Sequence, residues 1–168
     1  MACTLSKNNY IPQVAVGFLF IFVLLQMMSA DPYRVGLTSD YNWGMLTYPF
    51  FHANWLHLLI NWWCLMGLVL TWKYKWKYLA LCLLIAWTYP FAGDTPILGL
   101  SGFLFALCGF SVGRWHSNPR RASTCMAIFI GITALLPHVG WGIHAWCYAI
   151  ALVFSYGIRI GSGHTEGE

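Results

Sequence analysis

A serine flanked by glycines, Gly99-Leu100-Ser101-Gly102, stands at the start of a run from Ile97 to Val112 that carries no charged side chain. A hydroxyl in that setting is suited to nucleophilic attack on a carbonyl, provided a base stands near enough to take its proton. His144, in another apolar stretch, is the candidate base. His57 and Asn61 interrupt a third stretch four residues apart, which puts them on one face of a helix. In acyl transfer Ser101 would attack, His144 would take and later return the proton, and an oxyanion would need donors. The Ser101 backbone N–H and the side chains of His57 and Asn61 are the candidates. No carboxylate lies in the hydrophobic part of any segment, and Asp94 precedes Ser101 by seven residues in a stretch with Pro96. A two-residue Ser-His unit is therefore expected, with no acidic third member. Phe105, one helical turn beyond Ser101, can pack against the imidazole.

The elements that must position these groups are read from composition. The 168-residue chain is 59% hydrophobic and 8% charged, with mean hydropathy +0.61; a soluble domain carries about 25% charged residues. Stretches near the ~20 apolar residues that cross a bilayer occur at 11–30, 53–72, 76–92, 97–115, 122–137 and 139–160. The expected fold is an all-α membrane bundle of six helices forming one domain, 1–168. The first stretch is longer than a signal-peptide core and lacks a small-x-small cleavage site, so it reads as a crossing. Little chain is left for a separate extramembrane domain.

Basic residues set the orientation. Lys7, Lys73, Lys75, Lys77, Arg114, Arg120, Arg121 and Arg159 fall on one side if the segments alternate, and Arg34 alone falls on the other. Both termini are then cytoplasmic. The net charge of +4 reports this topology and gives no reason to expect nucleic-acid binding. His52, His57, Asn61, Ser101 and His144 come to a similar depth in the outer half of the membrane, where polar groups are costly and converge inside a bundle.

Other features have plainer readings. Gly102, Ala106, Gly109 and Gly113 form a stripe of small residues on one helix face, which is a packing surface. Trp43, Trp55, Trp72, Trp76, Trp115 and Trp141 sit near segment ends as interfacial anchors, whereas Trp62, Trp63, Trp87 and Trp146 lie deeper. The six cysteines, Cys3, Cys64, Cys82, Cys108, Cys125 and Cys147, include no C-x-x-C pair, so neither a disulfide nor thiolate chemistry is expected. His52, His57, His138 and His144 lie toward one face, but no His-Glu-x-x-His and no acidic ligand accompanies them, so no metal is expected. His116 and His164 read as solvated.

Together these motifs resemble the rhomboid family of intramembrane serine proteases. The matching residues are Leu46-Thr47 through Phe51-His52, the spacing His52-x4-His57-x3-Asn61, Gly99-Leu100-Ser101-Gly102 continuing to Ala106 and Gly109, and His144 in the last segment. The resemblance implies a rhomboid-like six-helix bundle, multi-pass in a bacterial cytoplasmic membrane. It implies Ser101 as nucleophile, His144 as general base, His57 and Asn61 in the oxyanion hole, and His52, Gly99, Gly102 and Phe105 in support. No cofactor is implied. Its partners would be membrane lipids and transmembrane protein substrates, cut near the outer face after a small residue in a helix that unwinds readily. Entry would be lateral, beside the fifth helix and under a cap at about 137–142. Phe105 stands where many relatives have tyrosine, so stacking can persist without a phenolic hydroxyl. Cys147 and Ala151 stand where the family commonly has glycine, which predicts a wider gap between the fourth and sixth helices and a stretched Ser101 to His144 contact.

Two other function classes fit the same residues. A non-catalytic rhomboid-like protein would bind membrane segments without cutting them. A channel or transporter would use the polar cluster for permeation, but no comparable polar path continues through the inner half.

Overall fold

The computed structural model describes residues 10–40, 43–72, 74–135 and 139–161. Cys3, Lys7, Lys73, Pro137, His138 and His164 lie outside these described residues. The chain forms α1 (Ile11–Met27), α2 (Pro32–Val35), α3 (Gly44–Thr47), a 3₁₀ turn (Tyr48–Phe50), α4 (Trp55–Thr71), α5 (Trp76–Trp87), α6 (Ser101–Trp115), α7 (Pro119–Thr133) and α8 (Trp141–Gly161). The only extended pairing among the described residues is one antiparallel bridge between Leu37 and Ile97.

The all-helical class agrees with the composition, but several boundaries differ from the apolar segments. Apolarity reports which residues avoid water; capping and proline decide where the hydrogen-bonded helix stops. The first stretch ends as helix at Met27, because Ser29 adopts φ 47° and Asp31, capping Tyr33 N–H, starts a new helix at Pro32. The third stretch is helical only to Trp87; Pro90 follows and favours extended backbone before it. The fourth helix begins at Ser101, not Ile97, since Ile97 is engaged in the bridge and Gly99 has φ 111°. The fifth begins earlier than its apolar stretch, at Pro119, where Asn118 accepts from Arg121 N–H. Arg120 and Arg121 belong to that helix although their charge hid them from a search for apolarity.

By length and composition, Trp141–Ile160 alone among the described helices is long and apolar enough to cross a membrane. The pair Gly44–Phe50 and Trp55–Thr71 qualifies only as one span bent by 79°. Helices α1 and α5 are apolar but shorter.

Helix α6 occupies the centre, packed against α4, α5, α7 and α8. Its closest partner is α8, and the small-residue stripe is the reason. A Cβ on Gly109 would collide with the backbone carbonyl of Tyr148, and one on Gly113 with Oγ of Ser155. At Gly102 it would meet Ile143 at 3.3 Å and Sγ of Cys147 at 3.5 Å. Cys147 and Ala151 are fully buried in this seam. The stretched contact expected from these two positions is not found, since Ser101 Oγ and His144 Nε2 lie 2.9 Å apart, and Gly102 leaves room for Cys147. At the other end of α6, the Ser111 and Tyr74 hydroxyls are hydrogen-bonded, and Trp72 stacks on Trp115 at 5.7 Å.

Gly109→Ala is therefore expected to destabilise the protein by about 1–3 kcal/mol through overpacking, whereas Gly67→Ala, with nothing within 4 Å of the added carbon, should stabilise α4 by about 0.5–1 kcal/mol. Thermal unfolding in detergent checks both signs, and equal effects would remove the α6–α8 seam as the cause.

Candidate active site

The site is assembled from the ends of three helices and the segment that precedes α4. Asn54 caps α4 by accepting from His57 N–H at 2.8 Å, which places His57 in the first turn and Asn61 one turn deeper on the same face. Asn61 is buried, and its Nδ2 has no hydrogen-bond partner among the described residues. Leaving a buried amide unsatisfied costs about 1–3 kcal/mol, so that N–H group is a donor held ready.

Gly99 allows the two residues to close on the serine turn. Its φ of 111° suits glycine. A Cβ here would lie 2.6 Å from Cε1 of His57, 3.0 Å from its Nε2 and 3.2 Å from Nδ2 of Asn61. The backbone N–H of Gly99 donates to the carbonyl of Tyr48 at 2.9 Å, and the Tyr48 hydroxyl donates to the carbonyl of Ala86 at 2.6 Å. Tyr48 thus ties the serine turn to α5. The next residue, Leu100, donates its N–H to Nε2 of His52 at 3.4 Å. The His52 ring is itself edge-on to His57 at 5.3 Å and to Phe22 at 5.7 Å.

Ser101 is the first residue of α6, so its backbone N–H has no acceptor within the helix. The helix dipole adds positive character there. Its Oγ lies 2.9 Å from Nε2 of His144. With Nε2 accepting the serine proton, the imidazole carries its own proton on Nδ1, which is buried and unpartnered among the described residues. The ring is oriented instead by stacking: Phe105 lies flat on it, with centroids 4.2 Å apart and planes 13° apart. Phe129 of α7 continues the stack on Phe105 at 6.0 Å.

The residues singled out by sequence thus fall into two groups joined by the Gly99-Leu100-Ser101 turn. Ser101, His144 and Phe105 form one; His57, Asn61 and Gly99 form the other, with His52 behind them. Gly102 belongs to the α6–α8 seam. Sequence reasoning gave no role to Tyr48, Phe22 or Phe129. Tyr48 lies inside a run that was singled out, but a tyrosine near a bilayer boundary reads first as an anchor. Its distinguishing contacts are with backbone atoms, which no side-chain pattern announces.

A family model described as Rhomboid domain matches residues 39–155. No curated protein matches the chain.

Gly99→Ala should lower the melting temperature, since the new methyl meets the His57 ring and the backbone strain costs about 1–3 kcal/mol. In Gly99→Ala/His57→Ala the collision is gone but the strain remains, so recovery should be partial. No recovery would mean that His57 does not crowd Gly99.

Proposed function

The chain belongs to the rhomboid family, and from that premise we propose that it is an intramembrane serine endopeptidase working through a Ser101-His144 dyad. The observation that carries this reading is the 2.9 Å hydrogen bond between Ser101 Oγ and His144 Nε2. Other serines of the bundle meet carbonyls or hydroxyls, as Ser155 meets Leu152 and Ser111 meets Leu107 and Tyr74, whereas the partner of Ser101 is an imidazole nitrogen, which can take a proton.

In this reading Ser101 Oγ attacks the substrate carbonyl while His144 Nε2 takes its proton. The tetrahedral oxyanion is met by the Ser101 N–H, by Nδ2 of Asn61 and by the His57 imidazole. His144 then returns the proton to the leaving amine and later activates water to hydrolyse the acyl-enzyme. Phe105 replaces an acidic residue as the element that orients the base. His52 holds the serine turn through Leu100 N–H. The chain crosses the membrane six times with both termini cytoplasmic, in a bacterial cytoplasmic membrane, and several of its helices are short for a full crossing. The substrate is a transmembrane protein segment, cut near its outer end.

Labelling with a serine-directed fluorophosphonate tests the dyad. Wild type should form an adduct that Ser101→Ala abolishes and His144→Ala reduces by at least a hundredfold. An adduct that persists in Ser101→Ala would remove Ser101 as the nucleophile, and no Ser101-dependent adduct together with no cleavage of a helix-unstable membrane substrate would leave a non-catalytic membrane-segment binder.

Asn61→Ala should lower turnover by about 10²–10³-fold with little change in substrate affinity, because an oxyanion donor acts mainly in the transition state. A loss confined to affinity would place Asn61 in substrate binding.

A further inference from the structure

Phe105 orients the imidazole of His144, but its own helix gives it little to lean on. A helical side chain lies back over the residues three and four positions before it, and for Phe105 these are Gly102 and Ser101. Gly109, four residues further on, offers no side chain either. The phenyl ring also lacks a polar group that could anchor it. His144 cannot supply the missing support, because Nε2 is engaged with Ser101 and Nδ1 has no partner among the described residues. Two rings stacked in this way can tilt together, and a tilted imidazole carries Nε2 away from the serine hydroxyl.

The remaining ring comes from α7. Phe129 is nearly parallel to Phe105, with planes 19° and centroids 6.0 Å apart, so α8, α6 and α7 each contribute one ring to a single stack. Ile130 and Thr133 are the buried residues of α7, and Phe129, beside them, is 52% exposed. The hydroxyls of Ser123 and Tyr148, hydrogen-bonded at 2.9 Å, register α7 against α8, the helix that carries His144. We infer, on the reading that Ser101 and His144 form a catalytic dyad, that Phe129 is a positioning residue: it braces Phe105 and thereby holds the imidazole in line with the serine. Acyl chains in its place would conform to any tilt of the Phe105 ring, whereas a second flat ring on a packed helix favours one plane.

Nuclear magnetic resonance of isotope-labelled histidine reads the stack directly, because a proton held over an aromatic face is shielded. The Hε1 signal of His144, identified by its loss in His144→Ala, is expected upfield of the solvated histidines. Phe129→Leu keeps apolar bulk but discards the flat ring, and it should move this signal downfield or broaden it. Phe129→Tyr restores the ring and should restore the wild-type position. The rate of fluorophosphonate labelling should fall about three- to tenfold in Phe129→Leu, the range expected of one aromatic pair. Turnover should fall by the same factor with KM unchanged, while Ile128→Ala, at a 60% exposed neighbour on α7, stays near wild type. An unmoved His144 signal in Phe129→Leu would overturn the proposal. So would a change in KM alone, which would give Phe129 to the substrate, or an equal loss in Ile128→Ala, which would reduce the effect to packing of α7. A wild type that forms no adduct defeats the dyad itself, and the His144 signal separates that failure from this one.

Discussion

The contact between Ser101 and His144 spans two helices that have no covalent reason to be near each other. Its length is set by how closely α6 and α8 approach. Three glycines on α6 remove the side chains that would hold the backbones apart, and α8 fills the space with Cys147, Tyr148, Ala151 and Ser155. Inside a bilayer such close packing takes over the role that hydrophobic burial plays in water, because lipid tails are as apolar as the helices they replace. A seam of this kind is discrete: a methyl group at Gly109 cannot be absorbed by a rotamer change when what it meets is a backbone carbonyl. The glycines lie on α6, and α8 meets them with the small residues Cys147, Ala151 and Ser155, a fit that brings hydroxyl and imidazole within hydrogen-bonding distance.

The second requirement is a serine turn that starts α6 abruptly. Gly99 supplies the dihedral angle, and Tyr48 and His52 receive the N–H groups of Gly99 and Leu100. The segment before α4 is anchored in turn by Thr47 Oγ1 donating to the carbonyl of Val35 at 2.8 Å and by the Leu37–Ile97 bridge, with its 3.0 Å hydrogen bonds. Ser39 Oγ also donates to Asp94 at 3.0 Å. Residues 35–39 and 47–52 thus act as a frame that shapes the turn, and most of their contacts involve a backbone group.

That division explains what could be read from the sequence. Ser101, His57, Asn61 and His144 were conspicuous because polar side chains are scarce in apolar segments, and Phe105 followed from helical spacing. The helical class followed from composition. The ends of the helices did not, since Ile97 and Leu100 are as apolar as the residues after them; only the bridge and the dihedral of Gly99 exclude them from α6. Tyr48 was hidden because it works through a carbonyl and a hydroxyl reaching Ala86, 38 residues away in sequence. The expected loosening at Cys147 and Ala151 was mistaken for a related reason. Considering α8 alone, Cys147 and Ala151 look like added bulk, whereas the room for Cys147 is left by Gly102 on the opposite helix.

The order in which the chain is made gives the α6–α8 seam another meaning. Tyr48, His52 and α4 precede the serine turn in the chain, whereas His144 follows it on α8. His144 belongs to the last helix. A chain in which α8 has not yet docked on α6 lacks the imidazole beside Ser101. Closure of the α6–α8 seam and formation of the Ser101–His144 hydrogen bond are then one event.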